Sequence, residues 1–203
     1  MSKLEQIKQR KIVIISMVAF WVNFAIILVT HLLTNTTDLH IDYSISKYVG
    51  LTVTSSIAFL IVNVAVSIAL WKYLKPLIKS NIQRYLLLYI VVMLIGLSLC
   101  PIHLYDNVIP EPIIMGRAPI SFLHVITSRT MFVAMMLFSI VTFCLGEFRK
   151  KYNRITTSAS LVFMIYAIIC VAAFVFFPQI FWSFDIIFES LYIAFFFLVV
   201  TFF

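Results

Sequence analysis

Three ionisable side chains lie inside segments that are otherwise apolar enough to cross a membrane. His124 and Arg129 belong to the stretch Pro119–Gly146, and Glu189 belongs to the last apolar run of the chain. A charged side chain at the centre of a bilayer costs at least about 2.5–3.5 kcal/mol on insertion scales, so such a group faces protein or water and has a partner. These residues therefore mark either a functional site or a buried network that fixes helix packing.

His124 and Glu189 are predicted to lie at similar depths in the membrane. At a helical rise of 1.5 Å per residue, His124 lies about 8 Å inside a helix that begins at Pro119, and Glu189 lies about 9 Å inside one that begins at Ser183. We expect the Glu189 carboxylate to hold the imidazole in one tautomer. Arg129 points about 100° or more away from His124, so the two need not share a partner. Arg129 is expected to anchor a carboxylate, a phosphate or a helix end deeper in the membrane.

Other polar residues lie on the same helix faces as His124 and Glu189. Residues three and four apart lie on the same side of a helix, and each of the two segments carries a set with that spacing. Two such faces predict a pocket between the helices, covered by the proline-rich loop 102–118. The ligand-binding residues predicted for this pocket are His124, Glu189, Arg129, Ser121, Ser128, Tyr192 and Asp185.

Catalytic chemistry needs more than these side chains provide. A zinc hydrolase requires three protein ligands and an open position. The candidate ligands near the outer surface are His40, His103, His124 and Asp106. None of them shows the i, i+4 spacing of a metal-binding pair on a helix. A serine nucleophile on the helix of His124 would seldom reach attack geometry, because both side chains stack along one helix. We therefore predict no catalytic residue, no metal and no cofactor, and favour a binding protein over an enzyme.

The composition determines what kind of fold positions these residues. Of the 203 residues, 63% are hydrophobic and 11% are charged, and the mean hydropathy is +1.09. A soluble domain is much less apolar. A helical span needs about 20 mainly apolar residues, and the apolar runs lie at about 11–33, 48–70, 85–100, 119–146, 157–177 and 183–203. We predict an all-α polytopic membrane protein, with residues 1–203 forming a single bundle of six transmembrane helices.

Basic residues are distributed unevenly among the predicted connections. The N-terminal segment, the second-to-third connection and the fourth-to-fifth connection carry four lysines and arginines each, twelve of the 15 in the chain, whereas the opposite loops carry only Lys47 and Arg117. The positive-inside rule then places both termini in the cytoplasm. The net charge of +7 thus reflects topology and contact with anionic lipids, and nucleic-acid binding is not predicted.

Short motifs also carry a resemblance to a known family. They are the run Tyr43-Ser-Ile-Ser-Lys-Tyr48 before the second helix, Asn63 within that helix, the run Gly96-Leu-Ser-Leu-Cys-Pro101, His124 after a loop, and Glu189 early in the last helix. With these features the chain resembles the prokaryotic six-helix membrane proteins of domain of unknown function 998. The resemblance implies a six-helix fold and highlights His124 and Glu189 without supplying a reaction. Where the family usually has a basic residue directly after the acid, this chain has Ser190.

These observations lead to one leading function and two alternatives. We expect a multi-pass protein of a bacterial cytoplasmic membrane that binds a lipid or small amphiphile in an outward-facing polar pocket. The first alternative is an intramembrane metal-dependent lipid hydrolase. The second is an accessory, immunity or transporter-associated subunit. The predicted partners are membrane lipids, and a partner membrane protein or a second copy of the chain in the case of the subunit.

Overall fold

The computed structural model describes residues 3–35, 44–100, 119–144 and 185–201, together with Phe203 and six positions at 158, 161, 162, 165, 166 and 169. Every regular element in this part of the chain is helical, which confirms the predicted all-α class. The α-helices are α1 (Lys3–Asn35), α2 (Ile45–Val49), α3 (Val53–Ala69), α4 (Asn81–Leu99), α5 (Pro119–Cys144) and α6 (Asp185–Val200). A π-helical turn (Leu70–Leu74) and a 3₁₀ turn (Lys75–Leu77) extend α3.

Four described helices are long and apolar enough to cross a membrane. They are Leu4–Thr34, Val53–Leu77, Asn81–Leu99 and Leu123–Cys144, and Ile186–Val200 is a shorter apolar helix. Large aliphatic side chains such as Val22, Ile26 and Ile61 lie exposed on the outer faces of these helices. That arrangement suits a hydrocarbon surrounding, in which apolar groups need no burial. Most of the predicted fifth span, 157–177, lies outside the described residues.

The helix boundaries differ from the predicted spans mainly around the second one. That span was predicted to begin at position 48, but the chain forms α2 first and begins α3 only at Val53. Each of the two helices has its own N-terminal cap: Ser44 Oγ accepts from the Lys47 N–H (3.1 Å) at the start of α2, and Thr52 Oγ1 accepts from the Ser55 N–H (3.0 Å) at the start of α3. Each cap satisfies a backbone donor at a helix start, so one apolar run becomes two helices.

The helices pack as a closed series in which each contacts the next. α1 packs on α3, α3 on α4, α4 on α5 and α5 on α6. Aromatic contacts connect the first and last members: the ring of Phe20 on α1 lies 5.4 Å from that of Phe59 on α3 and 5.6 Å from that of Phe197 on α6. Phe138 on α5 in turn meets Phe196 at 5.5 Å. Among the described residues, the four long helices and the shorter α6 therefore surround the centre of this arrangement.

Candidate functional site

A small, mainly apolar cavity with a few buried polar side chains lies at the centre of the bundle. Its volume is about 50 Å³, and one water molecule occupies about 30 Å³ in the liquid, so the space suits a group the size of one or two waters. Every α-helix contributes to its lining. The polar members of that lining are Ser46, Asn63, His124, Ser128 and Glu189, and the remainder is aliphatic, aromatic and methionine side chains.

His124 is buried, with 3% of its surface exposed, and its ring is held by the backbone. Its Nδ1 lies 2.6 Å from the Cys100 carbonyl oxygen at the end of α4. Because a carbonyl oxygen can only accept, Nδ1 must carry the proton, and Nε2 of the neutral ring is then an acceptor. Glu189 was expected to set this tautomer. The Cys100 carbonyl does so instead, because the last carbonyls of a helix have no intrahelical donor.

Glu189 is buried as well, and it accepts a hydrogen bond from a different backbone group. Its Oε2 lies 2.8 Å from the amide nitrogen of Ile45, the first residue of α2. The first N–H groups of a helix have no partner within it. The carboxylate supplies that partner, and it thereby connects α6 to the start of α2 across the cavity wall.

Asn63 on α3 is the third buried polar side chain of the cavity. Its Nδ2 donates to Ser98 Oγ at 2.6 Å, and Ser98 Oγ donates in turn to the Leu94 carbonyl at 2.8 Å. Its Oδ1 is buried and has no hydrogen-bond partner. Buried polar groups in folded proteins almost always have a protein or water partner, so this oxygen is an available acceptor for a donor group that enters the cavity.

The structure brings three of the seven predicted ligand-binding residues to this cavity. His124, Glu189 and Ser128 line it, and Ser128 Oγ donates to the Val125 carbonyl at 3.0 Å. Arg129 is half-buried beside Ser128 and does not belong to the described lining. Tyr192 is half-buried outside the lining, stacked on Phe132 at 5.5 Å. The side chains of Ser121 and Asp185 lie outside the described part of the structure.

The metal alternative depends largely on residues that cannot be placed. His40, His103 and Asp106, like the loop 102–118 expected to cover the pocket, lie outside the described residues. Among the residues that are described, no group of three or more histidine, cysteine, aspartate or glutamate side chains is positioned to hold a metal ion. The hydrolase therefore stays a prediction from the sequence.

Three of the polar side chains that line the cavity share one chemical property. Asn63 Oδ1, the Nε2 of His124 with its proton on Nδ1, and the carboxyl oxygens of Glu189 can all accept hydrogen bonds. The complementary occupant is a group with several donors, such as water, a hydroxyl group or an ammonium group. Sequence reasoning treated Asn63 only as a packing residue and a family feature, since an asparagine in an apolar helix most often bonds to a neighbouring helix.

Comparisons with protein-family models, with curated proteins and with solved structures give no match to this chain. The resemblance to the six-helix family of domain of unknown function 998 therefore stays a prediction from the motifs.

Proposed function

We propose that this protein is a six-helix integral protein of a bacterial cytoplasmic membrane, with both termini in the cytoplasm, that binds the donor-bearing head group of a lipid or small amphiphile in its central cavity. The observation that carries the proposal is the buried Asn63 Oδ1, which lacks a hydrogen-bond partner in a cavity also lined by His124 and Glu189. Leaving such a group unsatisfied costs about 1–3 kcal/mol, and a bound donor removes that cost.

The size and charge of the cavity narrow the head group. A space of about 50 Å³ accommodates an ammonium or hydroxyl group but no hydrocarbon chain, so the chain of the amphiphile stays outside it. A primary ammonium offers three donors and a positive charge, which complement three acceptor side chains, and Glu189 would bind it as the ionised carboxylate. Primary amines are therefore the preferred class, and neutral hydroxylated head groups come second.

Short-chain alkylamines provide a direct test with purified protein in detergent. A ligand that binds only the folded state stabilises it by about 2.7 kcal/mol at a concentration of 100 times Kd, so the thermal unfolding midpoint should rise with amine concentration. The matched alkyltrimethylammonium has the same charge and chain but no N–H donor, and it should give little or no shift. Equal shifts from the two compounds, or no shift from either, would contradict the proposal.

Two substitutions test the residues. Asn63→Leu removes the unpartnered oxygen and Glu189→Gln removes the charge, and we expect each to weaken amine binding at least about 10-fold, since one lost charge-assisted hydrogen bond contributes about 1.5–3 kcal/mol. Ser139→Ala is the matched control, because Ser139 is buried on α5 and bonds to the Met135 carbonyl away from the cavity. An unchanged affinity in both cavity variants would exclude this site.

A further inference from the structure

A second recess lies on the outside of the bundle, between the end of α3 and the first half of α4. Its volume is about 800 Å³, within the range of about 300–1,000 Å³ that is common for ligand sites. It shares no lining residue with the central cavity. The residues that line it are Ser67, Ile68, Trp71, Lys72, Lys75, Pro76, Arg84, Leu88, Val91 and Ile95.

One end of this groove is basic, and each of its three cations contacts a neighbouring group. Lys72 Nζ lies 5.4 Å from the centroid of the Tyr73 ring. Lys75 Nζ lies 4.0 Å from the centroid of the Trp71 ring, at a distance typical of a cation–π contact. Arg84 Nε donates to the Ile78 carbonyl at 2.9 Å, which fixes the guanidinium across the turn between the two helices. Lys72 is exposed beside them. The end nearest the turn thus presents three donors with positive charge.

The rest of the groove is apolar and follows α4 into the membrane region. Leu88, Val91 and Ile95 follow Arg84 at spacings of four, three and four residues, so all four lie on one helix face. At 1.5 Å per residue the distance from Arg84 to Ile95 along the helix is about 16 Å. One leaflet of a bilayer has a hydrocarbon thickness of about 15 Å, half of the total. The groove therefore extends from head-group level to about the depth of one leaflet.

The wall on the α3 side has an unusual backbone. Trp71 and Lys72 lie in the π-helical turn Leu70–Leu74, which is followed at once by the 3₁₀ turn that contains Lys75. π-Helical turns are rare and are frequent at functional sites. Here the turn carries the aromatic ring and one of the three cations of the groove.

We propose that this groove binds one anionic phospholipid, with the phosphate held by Lys72, Lys75 and Arg84 and one acyl chain lying along Ile68, Leu88 and Val91. The charge at one end and the leaflet-length apolar face complement the two parts of such a lipid. The positive-inside distribution assigns this end to the cytoplasmic leaflet, where anionic lipids attract clustered lysine and arginine. The site is independent of amine binding in the central cavity, because the two share no residue.

Trp71 is a natural reporter for this lipid. In a Trp21→Phe/Trp182→Phe background, which leaves Trp71 as the single tryptophan, the protein is reconstituted into phosphatidylcholine nanodiscs that contain a minor fraction of brominated phosphatidylglycerol. Bromine quenches indole fluorescence at short range. If the brominated lipid were randomly distributed around the protein, the quenching would correspond to its mole fraction in the bilayer, so stronger quenching reports binding in the groove. The same fraction of brominated phosphatidylcholine should quench only to that level. Quenching by phosphatidylglycerol at the mole-fraction level would overturn the proposal.

Charge and groove variants separate this site from general surface attraction. Each cation near a membrane surface changes anionic-lipid binding about fivefold, so Lys75→Gln/Arg84→Gln should lower the preference for phosphatidylglycerol by more than 10-fold. Lys8→Gln/Arg10→Gln removes the same charge from α1, from residues that do not line the groove, and should lower the preference far less. An equal loss in both double variants would show nonspecific attraction and overturn the assignment.

The apolar part of the site has its own matched pair. Leu88→Trp fills the groove, whereas Val92→Trp places the same side chain on the exposed face of α4 outside it. With bound brominated lipid detected by native mass spectrometry, Leu88→Trp should lose the retained lipid and Val92→Trp should keep it. Glycerol phosphate, which has the head group without a chain, should not compete. Competition by glycerol phosphate, or retention by both variants, would mean that the groove does not hold a phospholipid chain.

Discussion

Asn63 has two polar atoms with different surroundings. Its amide nitrogen donates to Ser98 at 2.6 Å, while its carbonyl oxygen is buried without a hydrogen-bond partner. The penalty for an unsatisfied buried group is larger than the net gain from a satisfied one. The effect of a substitution here on the free energy of unfolding therefore depends mainly on which buried polar atoms it leaves without a partner, and less on the number of hydrogen bonds that it removes.

This asymmetry predicts opposite results for two substitutions of the same pair. Ser98→Ala leaves both polar atoms of Asn63 without a partner and should lower the free energy of unfolding by about 1–3 kcal/mol. Asn63→Leu removes both atoms with little change in shape, so the stability should change little or rise. Unfolding in mixed micelles with increasing sodium dodecyl sulfate measures both effects.

Thr127→Ala serves as the control, since its exposed hydroxyl bonds only within its own helix and its removal should change the stability by no more than about 0.5 kcal/mol. A larger loss in Asn63→Leu than in Ser98→Ala would mean that the Asn63 oxygen has a stabilising occupant even without added ligand. An unchanged stability of Asn63→Leu in this measurement would also show that any loss of amine binding in that variant is not a loss of folding.

Single residues of the site differ in how far the sequence could predict them. His124 and Glu189 stand out because ionisable groups are rare in apolar segments. Their partners do not stand out, because the Cys100 carbonyl and the Ile45 N–H are backbone groups of a kind that nearly every residue has. Only the end of α4 and the start of α2 make these two available, and both depend on helix boundaries that composition alone predicts poorly.

At the scale of elements, α4 and α5 form an antiparallel pair joined by polar contacts along its length. Gln83 Nε2 donates to Thr142 Oγ1 at 2.7 Å, Tyr89 Oη donates to Thr130 Oγ1 at 2.7 Å, and the Cys100 carbonyl meets His124 near the other end. Gln83 and Thr142 are each 1% exposed. Interhelical hydrogen bonds of this kind fix the register of two helices that have similar apolar surfaces.

The Gln83–Thr142 pair predicts a measurable coupling between the two helices. In a double-mutant cycle with Gln83→Met and Thr142→Val, the interaction free energy should be about 0.6 kcal/mol, and no more than about 1.7 kcal/mol. Sodium dodecyl sulfate unfolding of the four proteins measures it. A cycle of Gln83→Met with Ser56→Ala is the comparison. Ser56 bonds to the Val49 carbonyl and not to Gln83 or Thr142, and the stability changes of two distant substitutions add within about 0.3–0.5 kcal/mol. A coupling no larger than in that comparison would mean that the bond does not hold the helices together.

The elements themselves were predicted best where apolar runs are long and uninterrupted. α1, α4 and α5 overlap their predicted spans, although α1 begins at Lys3 and α4 at Asn81, before the predicted starts. The break between α2 and α3 was not predicted, because it depends on the side-chain caps of Ser44 and Thr52 and not on the apolar run. Such side chains compete with a continuing helix by bonding to the backbone.

For the whole molecule, the distribution of basic residues predicts an orientation that can be measured directly. In a variant with its cysteines replaced, Asn81→Cys should react with a membrane-impermeant maleimide only after the cells are permeabilised, because the connection before α4 is predicted to be cytoplasmic. Leu51→Cys, exposed between α2 and α3, should react in intact cells. The reverse labelling pattern would show that the topology is opposite to the predicted one. Reaction of both cysteines in intact cells would contradict the prediction that α3 crosses the membrane.

The all-α class and the membrane-spanning lengths follow from composition, but the neighbour relations of the helices do not. Phe20 meets Phe59 and Phe197, and the chain has 20 phenylalanines from which such contacts could be built. Apolar side chains of one type do not specify a partner by chemistry. Their contacts depend on shape after the helices have assembled, so the enclosed centre could be located only from coordinates.

The hydrogen bond from Ile45 to Glu189 also constrains the order of events during synthesis. Its two residues are 144 positions apart, and at a translation rate of about 5–20 residues per second the acceptor is made about 7–30 s after the donor. Throughout that interval the nascent chain contains the start of α2 but not the carboxylate that satisfies it. The wall of the cavity is therefore completed only when the last helix joins the others, so a ribosome that stops before α6 releases a chain whose central cavity has never closed.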